Sequence, residues 1–205
     1  AQGNMYFGGK VMDGTATLLI NGTVDQTITT GHTRTFGAIP SIVINKLSGT
    51  LFLPTLLRIV RNWTYTAGVI DLSISTVVFA PLGSGTTTIT GTHTLNNVII
   101  DINNIFAAII SVTNTLIVSG TLTIDNSSNQ FITVNGGTIE ARGDIVLGND
   151  SYDGTATLLI NGTIDQILTS GQSKALGGMP NVNINKASGT LFLVGVLKTA
   201  NNWTY

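Results

Sequence analysis

The chain has 205 residues, 42% of them hydrophobic, but only 9% are charged and the formal net charge is −1. An ordinary soluble domain carries about 25% charged residues, so hydroxyls and amides, from 32 Thr and 19 Asn, do the solvating here. Nine basic residues against ten acidic ones exclude the basic stripe that a nucleic-acid or anionic-membrane surface needs.

The absence of Cys excludes a disulfide framework and thiolate zinc sites. The longest apolar run, around Ile105–Ile110, is far short of the roughly 18 residues of a membrane span, so no membrane insertion is expected. Val, Ile, Thr and aromatic residues suit pleated, half-buried surfaces. The good helix formers are scarce, Glu140 being the sole Glu. An all-β chain is expected.

In chain order, strand-like phrases run from Thr15 to Ile20, Ser41 to Asn45, Thr50 to Leu53, Trp63 to Thr66 and Thr76 to Phe79. They continue from Thr86 to Thr90, Val98 to Ile102, Thr121 to Ile124, Phe131 to Val134 and Asp144 to Leu147. Several alternate at period two, which sends one face in and the other out. Gly-containing pairs such as Asn-Gly and Ser-Gly stand between them as turns.

The phrases belong to a tandem repeat. Residues 1–65 return without a gap as 141–205, with 34 identities in 65 positions. Asp13–Thr23 returns as Asp153–Thr163, Ser48–Leu53 as Ser188–Leu193, and Asn62–Tyr65 as Asn202–Tyr205. A weaker half-repeat lies inside the long one: Thr76–Phe79 matches Thr17–Ile20, Asn97–Asp101 matches Ser41–Asn45, and Thr121–Ile124 matches Asn62–Tyr65. Spacings near 60 and 80 residues would each hold about three coils of 20-odd residues, the size of a solenoid turn.

The expected organisation is one continuous solenoid over 1–205, with a repeat unit of 1–140 and a partial second repeat of 141–205. Neither end reads as a cap. The expectation is therefore that further repeats, of the same chain or of like chains, stack end to end on it.

The phrases Thr76-Val-Val-Phe79, Thr88-Ile-Thr-Gly91, Asn96-Asn-Val98 and Val118-Ser-Gly-Thr-Leu122 to Ile124 resemble the degenerate repeats of large bacterial surface and secreted proteins of the autotransporter-adhesin-like type. That resemblance covers essentially the whole chain. It implies a right-handed parallel β-helix, an extracellular or cell-surface location and, most often, a stalk.

Candidate sites are tested against the second copy, because chemistry that serves the unit should survive in both. His32 becomes Gln172, and His93 has no second-copy counterpart within these 205 residues, so a His-based triad or metal cluster is not expected. Gly148–Gly154 is oxygen-rich like a calcium loop, but its counterpart Gly8–Gly14 replaces two ligands by Gly9 and Lys10; an Asx-rich turn is the simpler reading.

Asp25-Gln26 persists as Asp165-Gln166, and here too a turn acceptor for backbone N–H groups is expected. The pairs Arg34/Lys174, Lys46/Lys186 and Arg58/Lys198 keep their charge. With no acidic cluster in sequence beside them, they read as solvated edge charges that discourage stray strand pairing.

Trp63 and Tyr65, with Trp203 and Tyr205, share a face at period two and read as inward filling in preference to a sugar platform. Thr86 to Thr94 has the alternation of an ice-binding ladder, but the phrase does not recur at each coil. Sequons at Asn21, Asn62, Asn126, Asn149, Asn161 and Asn202 matter only in a glycosylating host.

No residue is assigned a catalytic, cofactor-binding or metal role, and no cofactor is expected. The functional expectation is a non-enzymatic structural repeat module of an extracellular fibre. The alternative is an adhesin-like or phage-fibre-like module that binds surface carbohydrate or protein. A glycan-processing β-helix ranks below both.

Overall fold

A computed structural model describes residues 1–10, 14–82, 85–101, 108–125, 131–148, 151–173, 178–199 and 201–205. Among them there is no helix, and hence none long and apolar enough to cross a membrane. Every recorded strand pairing is parallel. Apart from Ser151–Asp153 and the last two strands, each strand pairs with one roughly 20 to 25 residues later, so the chain winds as a parallel β-solenoid.

Each coil has three sides. The first is stacked from Thr17–Ile20, the opening residues of Ser41–Phe52 and of Trp63–Asp71, Thr86–Thr90, the opening residues of Ala108–Val118 and of Phe131–Ala141, and Ser151–Asp153. The four long strands then bend around a corner, so their closing residues form the second side. Met5–Phe7, Gln26–Thr30, His93–Leu95, Thr157–Ile160, Asn181–Ile184 and Trp203–Thr204 complete it. Register slips between Ile44 and Thr50, and between Val112 and Thr115, mark that bend. The third side is a separate seven-stranded sheet, from Leu56–Ile59 through Thr76–Phe79, Asn97–Asp101, Leu122–Asp125, Ile145–Leu147 and Gln166–Ser170 to Leu191–Gly195.

Inward residues stack in columns because parallel registers bring like positions together. On the third side Leu57, Val77, Val98, Leu122, Ile145, Leu168 and Leu193 lie in one file. Ile59, Phe79, Ile100, Ile124 and Leu147 lie in the next. The core is thus a stack of aliphatic rungs, each covering the one before it.

Registers inside the two copies agree. Met5 pairs Ile28 as Ile145 pairs Leu168, Gln26 pairs Leu51 as Gln166 pairs Leu191, and Ile42 pairs Trp63 as Val182 pairs Trp203. The expected equivalence of the copies holds at this level.

The sides do not agree. Thr17–Ile20 lies on the first side and Thr157–Ile160 on the second, while Gln26–Thr30 lies on the second and Gln166–Ser170 on the third. The half-repeats also depart from three coils each. From Thr17–Ile20 to Thr76–Phe79 is two coils and two sides, and from there to Thr157–Ile160 is three coils and two sides.

Candidate functional site

Several polar residues that persist between copies, Asp25, Gln26, Lys46 and Ser48, converge on one place, the corner between two sides of the solenoid, where one coil lies on the next. Lys46 is 1% exposed. Its ammonium donates to the carbonyls of Gly22 at 2.7 Å and Val24 at 2.9 Å, and to Gln26 Oε1 at 2.8 Å. Gln26 Oε1 also accepts the Gly22 N–H, and its amide donates to Gly3 O at 2.9 Å.

Around this core Asp25 Oδ1 accepts the Thr50 N–H at 2.7 Å and Ser48 Oγ donates to Thr23 O. Gly49 turns the chain at φ 70°, where a Cβ would come within 2.4 Å of the Val24 backbone. No L side chain fits there.

The second copy repeats the lysine, aspartate and serine bonds. Lys186 donates to Gly162 O, Ile164 O and Gln166 Oε1; Asp165 accepts Thr190 N–H; Ser188 donates to Thr163 O; Gly189 has φ 74°. Burial lowers the Lys186 pKa, against the opposing field of Asp165.

This corrects the reading of Lys46 as a solvated edge charge. It is a buried cation whose three donors hold one coil to the next. Arg58, 5% exposed, is corrected likewise: its Nη1 donates to Gly37 O, and burial lowers its pKa although Asp101 opposes the shift. Lys174 lies outside the described residues.

The turn-acceptor reading of Asp25 and Asp165 holds, with the refinement that the N–H belongs to the neighbouring coil. Asn4 with Thr27, Asp144 with Ile167, Asn62 with Thr88 and Asn97 with Thr121 repeat the arrangement. Asn4, Asn62 and Asn97, three of the 19 Asn, thereby have a structural role.

His32 explains its own replacement. Its Nδ1 accepts the Arg58 N–H at 3.3 Å, and Gln172 Oε1 accepts the Lys198 N–H at 3.1 Å in the same position. Burial first, and then the Arg58 charge, lower the His32 pKa. A ring nitrogen and an amide oxygen are interchangeable as acceptors, so the position requires an acceptor and not a titrating base.

His93 occupies the file of Leu116, Ile139, Leu158 and Val182. It packs against both Trp63 and Tyr65, with ring centroids 5.8 and 5.0 Å away. Its Nε2 accepts Trp63 Nε1–H at 2.8 Å, which leaves Nδ1 to donate to Gly91 O at 2.8 Å. Burial lowers its pKa, with the Gly91 carbonyl opposing. Trp63 is fully buried and Tyr65 packs against the core, so the inward reading holds for the first aromatic phrase; in the second, Trp203 and Tyr205 are exposed.

One charged cluster escapes the sequence. Arg34 reaches Asp101 at 2.5 Å and Asp125 at 2.6 Å, two register partners on adjacent coils. The absence of an acidic cluster beside the retained cations is therefore corrected at Arg34. Burial alone would lower the Arg34 pKa, but the two carboxylates hold it above its usual value. The carboxylates are joined to a guanidinium, and among the described residues no three His, Cys, Asp or Glu groups gather as a metal site.

The calcium-loop candidate is split. Asn149, Asp150 and the counterparts Val11–Asp13 lie outside the described residues. Tyr152 is buried and donates to Ile124 O, and Asp153 accepts from Thr133 Oγ1. Sequons at Asn126 and Asn149 also fall outside.

The outward Thr86, Thr88 and Thr90 have Ile109, Ser111 and Thr64 as lateral neighbours, so no threonine ladder forms there. A cleft of about 700 Å³ is the uncovered edge of the last coil, lined by Ile184, Lys186, Leu191, Leu193, Trp203 and Tyr205. Compared with protein-family models, curated proteins and solved structures, the chain finds no match.

Proposed function

We propose that the chain is a structural repeat module of a large extracellular or cell-surface fibre, of the autotransporter-adhesin-like kind, wound right-handed as parallel crossovers are. The observation that carries this reading is the use to which the retained polar residues are put. Lys46, Gln26, Asp25 and Ser48, and their partners 140 residues on, bond one coil to the next. What the repeat preserves is a joint. A joint repeated along a solenoid sets length and resists unwinding, which is the task of a stalk.

The proposed partners are further repeats of the same or like chains. Within the chain, stacking of coil on coil is what buries these positions: Leu53 and Trp63 are 6% and 0% exposed, against 50% and 37% for their equivalents Leu193 and Trp203. Sedimentation over a range of concentrations tests this: reversible end-to-end association is expected. The same preparation should show no turnover of acidic polysaccharides, with or without calcium, and no glycan-array binding at micromolar strength. Turnover abolished by a single Asp substitution would replace the structural reading with an enzymatic one, and glycan binding would replace it with the adhesin.

A further inference from the structure

We infer that features borne by the repeat unit wind around the solenoid as a threefold screw, because one unit makes six coils and one further side. The count follows from the registers. On the first side Leu18 stacks on Ile42, Ile42 on Trp63, Trp63 on Ile89, Ile89 on Val112 and Val112 on Gly136. The sixth step reaches Ser151–Asp153, which lies on Phe131–Thr133. The repeat of Thr17–Ile20 begins only after the next corner, at Thr157–Ile160 on the second side. Every other pair of equivalents moves the same way, Met5–Phe7 to Ile145–Leu147 and Gln26–Thr30 to Gln166–Ser170 going from second side to third.

The shift has a visible consequence at the corner joint. Val24, 63% exposed, is held out at the corner between the first and second sides, and Ile164, 70% exposed, at the corner between the second and third. The same bonds hold both, so each is a fixed apolar knob turned by one side from the other. Three units of 140 residues, 420 in all, bring the knob back to its starting corner. Contacts made by a unit-borne feature are then shared over three directions. A flat surface or a single neighbouring fibre meets every third unit, and a bundle can be engaged on all sides. The consequence for arrays rests on the fibre reading above; the screw within this chain does not.

The chain has no Cys, so paired substitutions can report the stacking directly. Thr138 and Thr157 are register partners across the second side, with outward side chains, at the spacing a disulfide accepts. Thr138→Cys with Thr157→Cys should oxidise to an intramolecular disulfide. Thr133→Cys with Thr157→Cys, the pair an unrotated repeat would bring together on the first side, should remain reduced. Thr157→Cys with Asn181→Cys joins register partners within the second copy and reports a folded chain in either case. Cross-linking of the 133/157 pair in place of the 138/157 pair, with the 157/181 pair still forming, would overturn the screw. Neither outcome bears on association, which tests the fibre reading separately.

Discussion

The two copies of the repeat are the same bonds in different surroundings. Lys46 and Lys186 donate to equivalent oxygens, yet Lys46 is 1% exposed whereas Lys186 is only half-buried. Trp63 is buried beneath Ile89 and His93, whereas Trp203 is 37% exposed. Leu53 and Leu193 differ in the same way. Hydrogen bonds at the joint depend on two adjacent coils alone, while burial depends on the coil laid over them. A solenoid therefore separates local bonding from burial, which a compact domain mixes.

The largest expected difference is at the aromatic pair. Trp63→Ala removes a buried indole and the donor to His93, and should cost about 4 kcal/mol. Trp203→Ala, at a half-open site, should cost under about 1 kcal/mol. Urea midpoints at constant slope measure both. Equal losses would mean that the covering coil adds nothing at Trp63.

At the joint, Lys46→Met takes the ammonium from three oxygens that water reaches poorly, at about 1–3 kcal/mol for a buried acceptor left unpaired. A total near 3 kcal/mol is expected. Lys186→Met should cost about 1 kcal/mol, since solvent can replace the lost donor.

Acid acts on the two buried histidines. Both histidines have lowered pKa values, so the fold binds fewer protons than the unfolded chain below the ordinary histidine value of about 6.5. Their stabilising contribution is complete above that pH and is lost as pH falls through it. His32→Gln imports the residue of the second copy. At neutral pH it should change stability by no more than about 0.5 kcal/mol, and it should reduce the acid loss without removing the share of His93. Unfolding followed from pH 8 to 5 checks this; an unchanged profile would mean that His32 is not held neutral.

Much of the fold is legible in the sequence. The period-two phrases become parallel strands, and Trp63 and Tyr65 point inward as their spacing predicts. Asp25 and Asp165 are acceptors as expected.

The rest is hidden for physical reasons. Lys is the residue least expected inside, so Lys46 reads as solvent-facing. The retention of Gly22, Gln26, Ser48 and Gly49 together with it was the available signal. The turning of the repeat is invisible to an alignment, because counting sides requires strands with weak patterns. Gln26–Thr30, Leu56–Ile59 and His93–Leu95 are such strands. The Arg34 cluster joins residues 67 and 91 positions apart, a distance at which no spacing rule operates.

The retained polar residues form an inter-coil joint built alike in both copies. A double-mutant cycle tests it most directly, with Gln26→Ala and Lys46→Met singly and together, repeated with Gln166→Ala and Lys186→Met. Coupling of about 1–2 kcal/mol is predicted at the first joint, a smaller coupling of the same sign at the second, and additivity for the distant pair Gln26→Ala with Lys186→Met. Additive losses at Gln26 and Lys46 would mean that the two side chains do not act as one joint.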